Sequence, residues 1–229
     1  MRFAVRHETL YRYSVPVVLA PHVLRLTPRA EHQLRNRSLG VWPEPVHLHE
    51  ESDTYGNRVA RVKFSDQPTQ ELRIESRFEL DTSPPGLASE VTERLPWTQL
   101  PTEDLGAYRP GDANADTLAS WQGACRDYTV LFLEAARSLG MPGRFSSGYQ
   151  AAADTPDGRR YLHAWPEVFL HRAGWRGWDP THGVAAGEGH VALCAAPDQA
   201  GSMPVVGGFY FGGSSITSTL DFDLRITTS

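Results

Sequence analysis

A chain of 229 residues with 40% hydrophobic and 21% charged residues has the composition of a soluble globular protein, with room for one large domain or two small ones. Its net charge of -5 offers no basic face for nucleic acid or an anionic membrane. Two cysteines are too few for a disulfide scaffold, and no run approaches the roughly twenty apolar residues that span a bilayer.

The N-terminus lacks the charged head, apolar run and cleavage site of a signal peptide, so the expected location is the cytoplasm, with no membrane partner. Lys63 is the only lysine among 22 basic residues, a bias that G/C-rich coding explains.

The first third predicts β-structure. Phe3, Val5, His7, Thr9, Tyr11 and Tyr13 share one parity, the period of two of a half-buried strand. Residues 23–27 make a second short strand stopped by Pro28, and residues 39–42 a third stopped by Pro43. Residues 47–51 run into Asp53-Thr54-Tyr55-Gly56-Asn57, a turn signal because Gly and Asn tolerate positive φ. Residues 58–64 and 71–80 alternate again, so residues 1–85 are expected to form an antiparallel β-domain. A boundary follows at Thr-Ser-Pro-Pro-Gly. Residues 86–116 form a connecting segment with a short helix over 87–95 and an irregular stretch over 101–114.

Residues 117–229 make the second expected domain. The spacing of Tyr128, Leu131, Phe132, Ala135 and Leu139 predicts a helix over 125–139, apolar on most sides and therefore buried. Gly140 and Pro142 provide its stop, and Cys125 falls in its first turn. Residues 144–150, 161–170 and 176–181 read as strands, and 207–228 as an alternating β tail. Helix followed by antiparallel strands gives an α+β class.

A thiol at a helix N-terminus is favoured as thiolate by unpaired N–H groups and the positive end of the dipole. Cys194 lies in the apolar run 191–195 and reads as core. On its strand, His163 shares a face with Trp165, Glu167 and Phe169. A simple hairpin closed by residues 171–174 puts Asp179 opposite Pro166, three residues from His163. A bulge at Pro166 would close the offset. Thiol, imidazole and carboxylate then have the nucleophile–base–orienter logic of cysteine acyl transfer.

The segments Gly123-Ala124-Cys125-Arg126-Asp127-Tyr128, Leu139-Gly140-Met141-Pro142-Gly143-Arg144 and Ser147-Gly148-Tyr149 resemble the core of transglutaminase-like proteins. His163-Ala164-Trp165-x-Glu167-Val168 and Trp175-x-Gly177-Trp178-Asp179-Pro180-Thr181 continue the resemblance in order. His7-x-Thr9-x-Tyr11-x-Tyr13, Leu24-Arg25-Leu26-x-Pro28 and Asp53-x-x-Gly56-Asn57 are similar to the β-domain that precedes this core in bacterial members. The resemblance implies a papain-like α+β core with a Cys125–His163–Asp179 triad acting on a protein or peptide amide. The chain departs from the usual pattern in its short 86–116 segment, in Pro166, in Arg126 and over residues 195–199.

Several residues keep two readings at this point. Asp127 is assigned to helix electrostatics rather than catalysis. Trp165, Trp175 and Trp178 read as packing, with Trp165 and Trp178 also candidates for a substrate groove. Tyr108 and Trp97 are candidate oxyanion donors beside the Cys125 N–H. His47 and His49 share a strand face without an evident third metal ligand. His182 is a pH-sensitive neighbour of Asp179. The expected activity is a cysteine-dependent amide hydrolase or acyltransferase without metal or cofactor, hydrolysis being favoured. The alternative, motivated by the short 86–116 segment, is a non-catalytic scaffold that keeps the fold.

Overall fold

A computed structural model of the chain describes residues 1–29, 34–83, 122–152, 159–171 and 173–229. The expected helix over 87–95, the 101–114 stretch, Trp97, Tyr108 and the whole 86–116 connection lie outside the described residues. The first-half strands are β1 (Arg2–Leu19), β2 (His22–Leu24), β3 (Leu34–Trp42), β4 (His47–Ser52), β5 (Arg58–Lys63) and β6 (Thr69–Asp81). Helix α1 (Cys125–Ser138) precedes β7 (Gly143–Gln150), β8 (His163–Leu170), β9 (Gly174–Asp179), β10 (Val184–Ala185) and β11 (His190–Ala196). The tail adds β12 (Val205–Val206), β13 (Phe209–Tyr210) and β14 (Ser218–Thr228). The described chain is α+β, mostly sheet with one α-helix.

Two compact units divide the chain differently from the sequence reading. One holds residues 1–82, 151–161 and 203–229; the other holds 83–150 and 162–202. The tail therefore leaves the 117–229 segment, because β14 pairs antiparallel with β1 from Ser218↔Tyr13 to Thr228↔Phe3. That pairing joins residues some two hundred positions apart, which local pattern cannot reveal.

In the first unit, β13, β1, β6 and β3 form one sheet, with β14 also on β1, and β12-β2-β5-β4 form a second. The predicted parity of β1 is realised: Phe3, Val5, His7, Thr9 and Tyr13 are buried. Pro16 lies where the β1–β6 register shifts between Arg12 and Val17, the kind of irregularity at which a strand tolerates proline. On the other face Arg6 sits opposite Arg77 and Arg225, so its guanidinium reaches diagonally to Glu75 at 2.7 Å and Asp223 at 3.0 Å. A planar fork bridges two neighbouring strands in a way that a lysine ammonium does not.

His7 is buried, and desolvation lowers its pKa to about 4 from 6.5. The unfolded chain binds this proton first, so the contribution is intact above 6.5 and is lost as pH falls toward about 4. Unfolding free energy should fall by about 3 kcal/mol over that window from this group. Denaturant titrations of wild type and His7→Leu at both ends of the window check this; the variant should lack that part of the slope.

In the second unit the order is β10-β9-β8-β7-β11. Helix α1 packs on one face of this sheet through Leu133 against Phe145 and Ala164, with Cys125 and Val130 at the margin. It is buried on one stripe, Thr129, Leu133 and Ala136, rather than all round as expected. Its end follows the expectation: Gly140 has φ +82, and the N–H groups of Gly140 and Met141 bond back to Arg137 O and Ala136 O.

Gly148 in β7 is required for space. A Cβ there would lie 2.0 Å from Val191 O and 2.8 Å from the Trp165 ring. Gly148→Ala should therefore cost at least about 2 kcal/mol, read by urea denaturation.

Candidate active site

Cys125 opens α1. Asp127 receives the Ala124 N–H on Oδ2 at 2.8 Å, closing the first turn with a carboxylate at its positive end. This is the electrostatic role expected for Asp127. His163 opens β8. The two first residues meet at the end of the sheet, although α1 and the imidazole-bearing face lie on opposite sides of it.

That face follows from register. The pairs Gly148↔His163, Ala192↔Gly148 and His190↔Gln150 place His163 and His190 on one side. The β8–β9 ladder pairs Leu170 with Gly174 and Glu167 with Gly177, so continuing it puts Asp179 level with Trp165. This is one residue from the expected register, and a one-residue shift exchanges faces. Its cause is the odd connection: Ala173 N–H bonds to Leu170 O, and Gly174 takes φ +72. Asp179 reaches the His163 face without the expected bulge, and β7–β8 runs in unbroken register through Pro166.

His163 Nε2 donates to Asp179 Oδ2 at 2.7 Å, which leaves Nδ1 for the Cys125 side. Burial by itself raises the Cys125 thiol. The hydrogen bond and charge of His163, with the N–H groups of Ala164 and Arg126, outweigh it and hold the thiol below its ordinary value. For His163, burial opposes the charge, but Asp179 and Cys125 raise its pKa to about 9. Asp179 is held far below the usual carboxylate range, because bonds from His163, His190 and His182 overcome its desolvation. The arrangement favours a thiolate–imidazolium pair backed by a buried carboxylate.

Two further histidines converge on the same oxygen. His182 Nδ1 lies 2.7 Å and His190 Nε2 3.0 Å from Asp179 Oδ2. Oδ1 accepts the N–H groups of Thr181 at 3.0 Å and His182 at 3.3 Å. Sequence reasoning named His182 but missed His190. A polar residue heading the apolar run 191–196 was the available signal, since a buried imidazole needs a partner.

His163, Asp179 and His190 also form a group with metal-ligand chemistry. Ligands about 2.0–2.1 Å from a tetrahedral zinc stand roughly 3.3 Å apart. The 2.7 and 3.0 Å separations here are instead those of hydrogen bonds, so the group reads as a hub of proton donors on one carboxylate.

The tryptophans separate. Trp165 is 2% exposed, filling the space left by Gly148 and Gly177, so it packs the sheet and does not line a groove. Trp178 is half-buried on the helix side, stacked on Phe132 at 6.4 Å. Tyr108 lies outside the described residues. Cys194 is fully buried, its thiol facing Gly201 O at 3.6 Å, as expected of a core residue. The exposed rings of His47 and His49 stack 6.4 Å apart on β4.

Residues 3–81 match the bacterial transglutaminase-like N-terminal region, and residues 87–180 match the transglutaminase-like superfamily core. The chain belongs to the bacterial transglutaminase-like family. An uncharacterized protein of Mycobacterium leprae is 31% identical to it over 131 residues, or 52% of this chain and 44% of that protein. The match thus spans less than half the length of that relative. The crystal structure of a candidate cysteine protease from Cytophaga hutchinsonii aligns over 100% of this chain and 91% of its own, with TM-score 0.71 and 19% identity. The two share a fold. The sequence motifs that resemble the family core fall here on α1, β7, β8 and β9, the elements that assemble the site. Among the described residues no helix is long and apolar enough to cross a membrane.

Proposed function

We propose that the protein is a cysteine-dependent amide hydrolase or acyltransferase, with hydrolysis the favoured outcome. The observation that carries this reading is the Cys125–His163–Asp179 arrangement, in which the imidazole is bonded at 2.7 Å to a buried carboxylate and faces a thiol on its other side. The second unit is then a papain-like arrangement, a nucleophile helix packed on an antiparallel sheet.

Cys125 Sγ attacks the carbonyl carbon of a protein or peptide amide. The Cys125 N–H, in the first turn of α1, is the proposed oxyanion donor. His163 gives its Nδ1 proton to the departing amine or ammonia, and Asp179 keeps the Nε2–H tautomer aligned. The thioester then passes to water, deprotonated by the now neutral His163, or to an amine. Trp178 is the proposed aromatic contact beside the groove. The scaffold alternative rested on residues 86–116, all of which lie outside the described residues.

Incubation with glutamine-containing peptides, with and without a primary amine, tests the reading by mass spectrometry. Deamidation or cleavage supports hydrolysis, and added amine mass supports transfer. No product from any peptide, alongside an unreactive Cys125, would count against an enzyme.

The sign of the pH dependence follows from the pair. Catalysis needs Cys125 ionised and His163 protonated, so kcat/KM should rise at the lowered thiol value and fall near pH 9 as His163 loses its proton.

A further inference from the structure

Asp179 is the only group among the described residues to which three imidazoles donate through one oxygen, and a two-member relay would need only one of them. The His190 ring is fixed from both ends. Its backbone N–H bonds to Gly187 O at 2.8 Å, and the Gly187 N–H returns to His190 Nδ1 at 3.4 Å. A ring nitrogen that accepts an N–H carries no proton, so this network assigns the proton to Nε2, which donates to Asp179. The ring also packs edge-on against Trp165, with centroids 5.1 Å apart. His190 is thus a neutral donor of assigned tautomer, 7% exposed, on a strand that pairs with neither β8 nor β9.

We propose that His190 is a positioning residue for the triad, holding the Asp179 carboxylate in the plane that serves His163, with His182 as a second and more exposed hold. The inference rests on the catalytic reading above.

The need for such a hold lies in the local chain. Asp179 ends β9 and is followed by Pro180, so the ladder stops where the carboxylate must be placed. The backbone N–H groups of Thr181 and His182 secure only Oδ1. Oδ2 faces His163, and the local turn brings it one further donor, the half-buried His182 ring. His190 supplies one from β11, across β7 and β8, and couples the carboxylate to the opposite edge of the sheet. A lost orientation at Asp179 is transmitted to His163 and then to the ionisation of Cys125.

Two conservative substitutions separate this role from a merely structural one. The Gln amide nitrogen overlays imidazole Nε2, so His190→Gln keeps the donor to Asp179 and loses the Gly187 contact. Asn overlays Nδ1, so His190→Asn keeps the Gly187 contact and cannot reach Asp179. The readout is the rate of Cys125 alkylation by iodoacetamide across pH, with Cys194 as the internal gauge of folding. His190→Asn should slow Cys125 labelling at neutral pH on the order of tenfold, corresponding to about one unit of thiol ionisation. His190→Gln should stay within about threefold of wild type. His182→Ala should give a smaller loss of the same sign. Equal behaviour of Gln and Asn, or the reverse order, would overturn the inference while leaving the catalytic reading intact. Wild-type labelling confined to the ordinary thiol range would instead overturn that reading, and this inference with it.

Discussion

Cys125→Ala should abolish acyl-enzyme formation and lower turnover of any accepted amide on the order of a millionfold, the scale seen when a triad nucleophile is removed. Stability should change by less than about 1 kcal/mol, because only a half-buried sulfur at the start of α1 is lost. The same change removes one of the groups that raise His163, so its pKa should fall from about 9 toward the ordinary value while Asp179 still supports it. Mass spectrometry of the enzyme mixed with substrate, together with histidine NMR titration, reads both effects. Unaltered turnover by the alanine variant on every amide substrate would exclude the thiol as nucleophile.

Asp179→Asn should be costly in two ways. Three imidazole nitrogens and two backbone N–H groups point at this carboxylate. Asn offers one acceptor oxygen and turns an NH2 group toward one set of those donors. Turnover should drop roughly ten-thousandfold as the imidazole loses its tautomer. Stability should fall by about 3–5 kcal/mol as buried donors lose their counter-charge. The pH dependence has a defined sign. Asp179 is held far below the usual carboxylate range, so its contribution is present at neutral pH and is lost as pH falls through and below that range. Wild type should therefore lose more stability in acid than the variant, measured by urea denaturation at neutral and acid pH. A variant as stable and as active as wild type would place the role of Asp179 elsewhere.

Much of the site was legible because its parts are local. Helix start and stop chemistry put Cys125 in the first turn of α1, and Gly140 ended that helix with the left-handed residue its position demanded. Strand parity put His163 on its face, and the Asp53–Asn57 turn was readable from Gly56, which takes φ +77. The losses were long-range or depended on counting by one. A connection joining Leu170 to Gly174 moved Asp179 to the other face, which no propensity distinguishes from a four-residue turn. His190 entered the site through the pairing of β11 with β7, after an excursion of some forty residues in sequence. The tail strand β14 found β1 across nearly the whole chain. Trp165 shared the face of His163, but only the space beside Gly148 and Gly177 showed that it was packing. Local chemistry wrote the nucleophile and its base into the sequence, whereas the partners of the carboxylate were written in the sheet.

The central claim is that Cys125 is held as a thiolate by an imidazolium that Asp179 secures. Its most direct test is the ultraviolet thiolate absorbance of wild type minus that of Cys125→Ala, followed as a function of pH. The account predicts a difference signal already present at neutral pH and lost in a step well below the ordinary thiol value of about 8.5. A signal that emerges only at or above that value would contradict it.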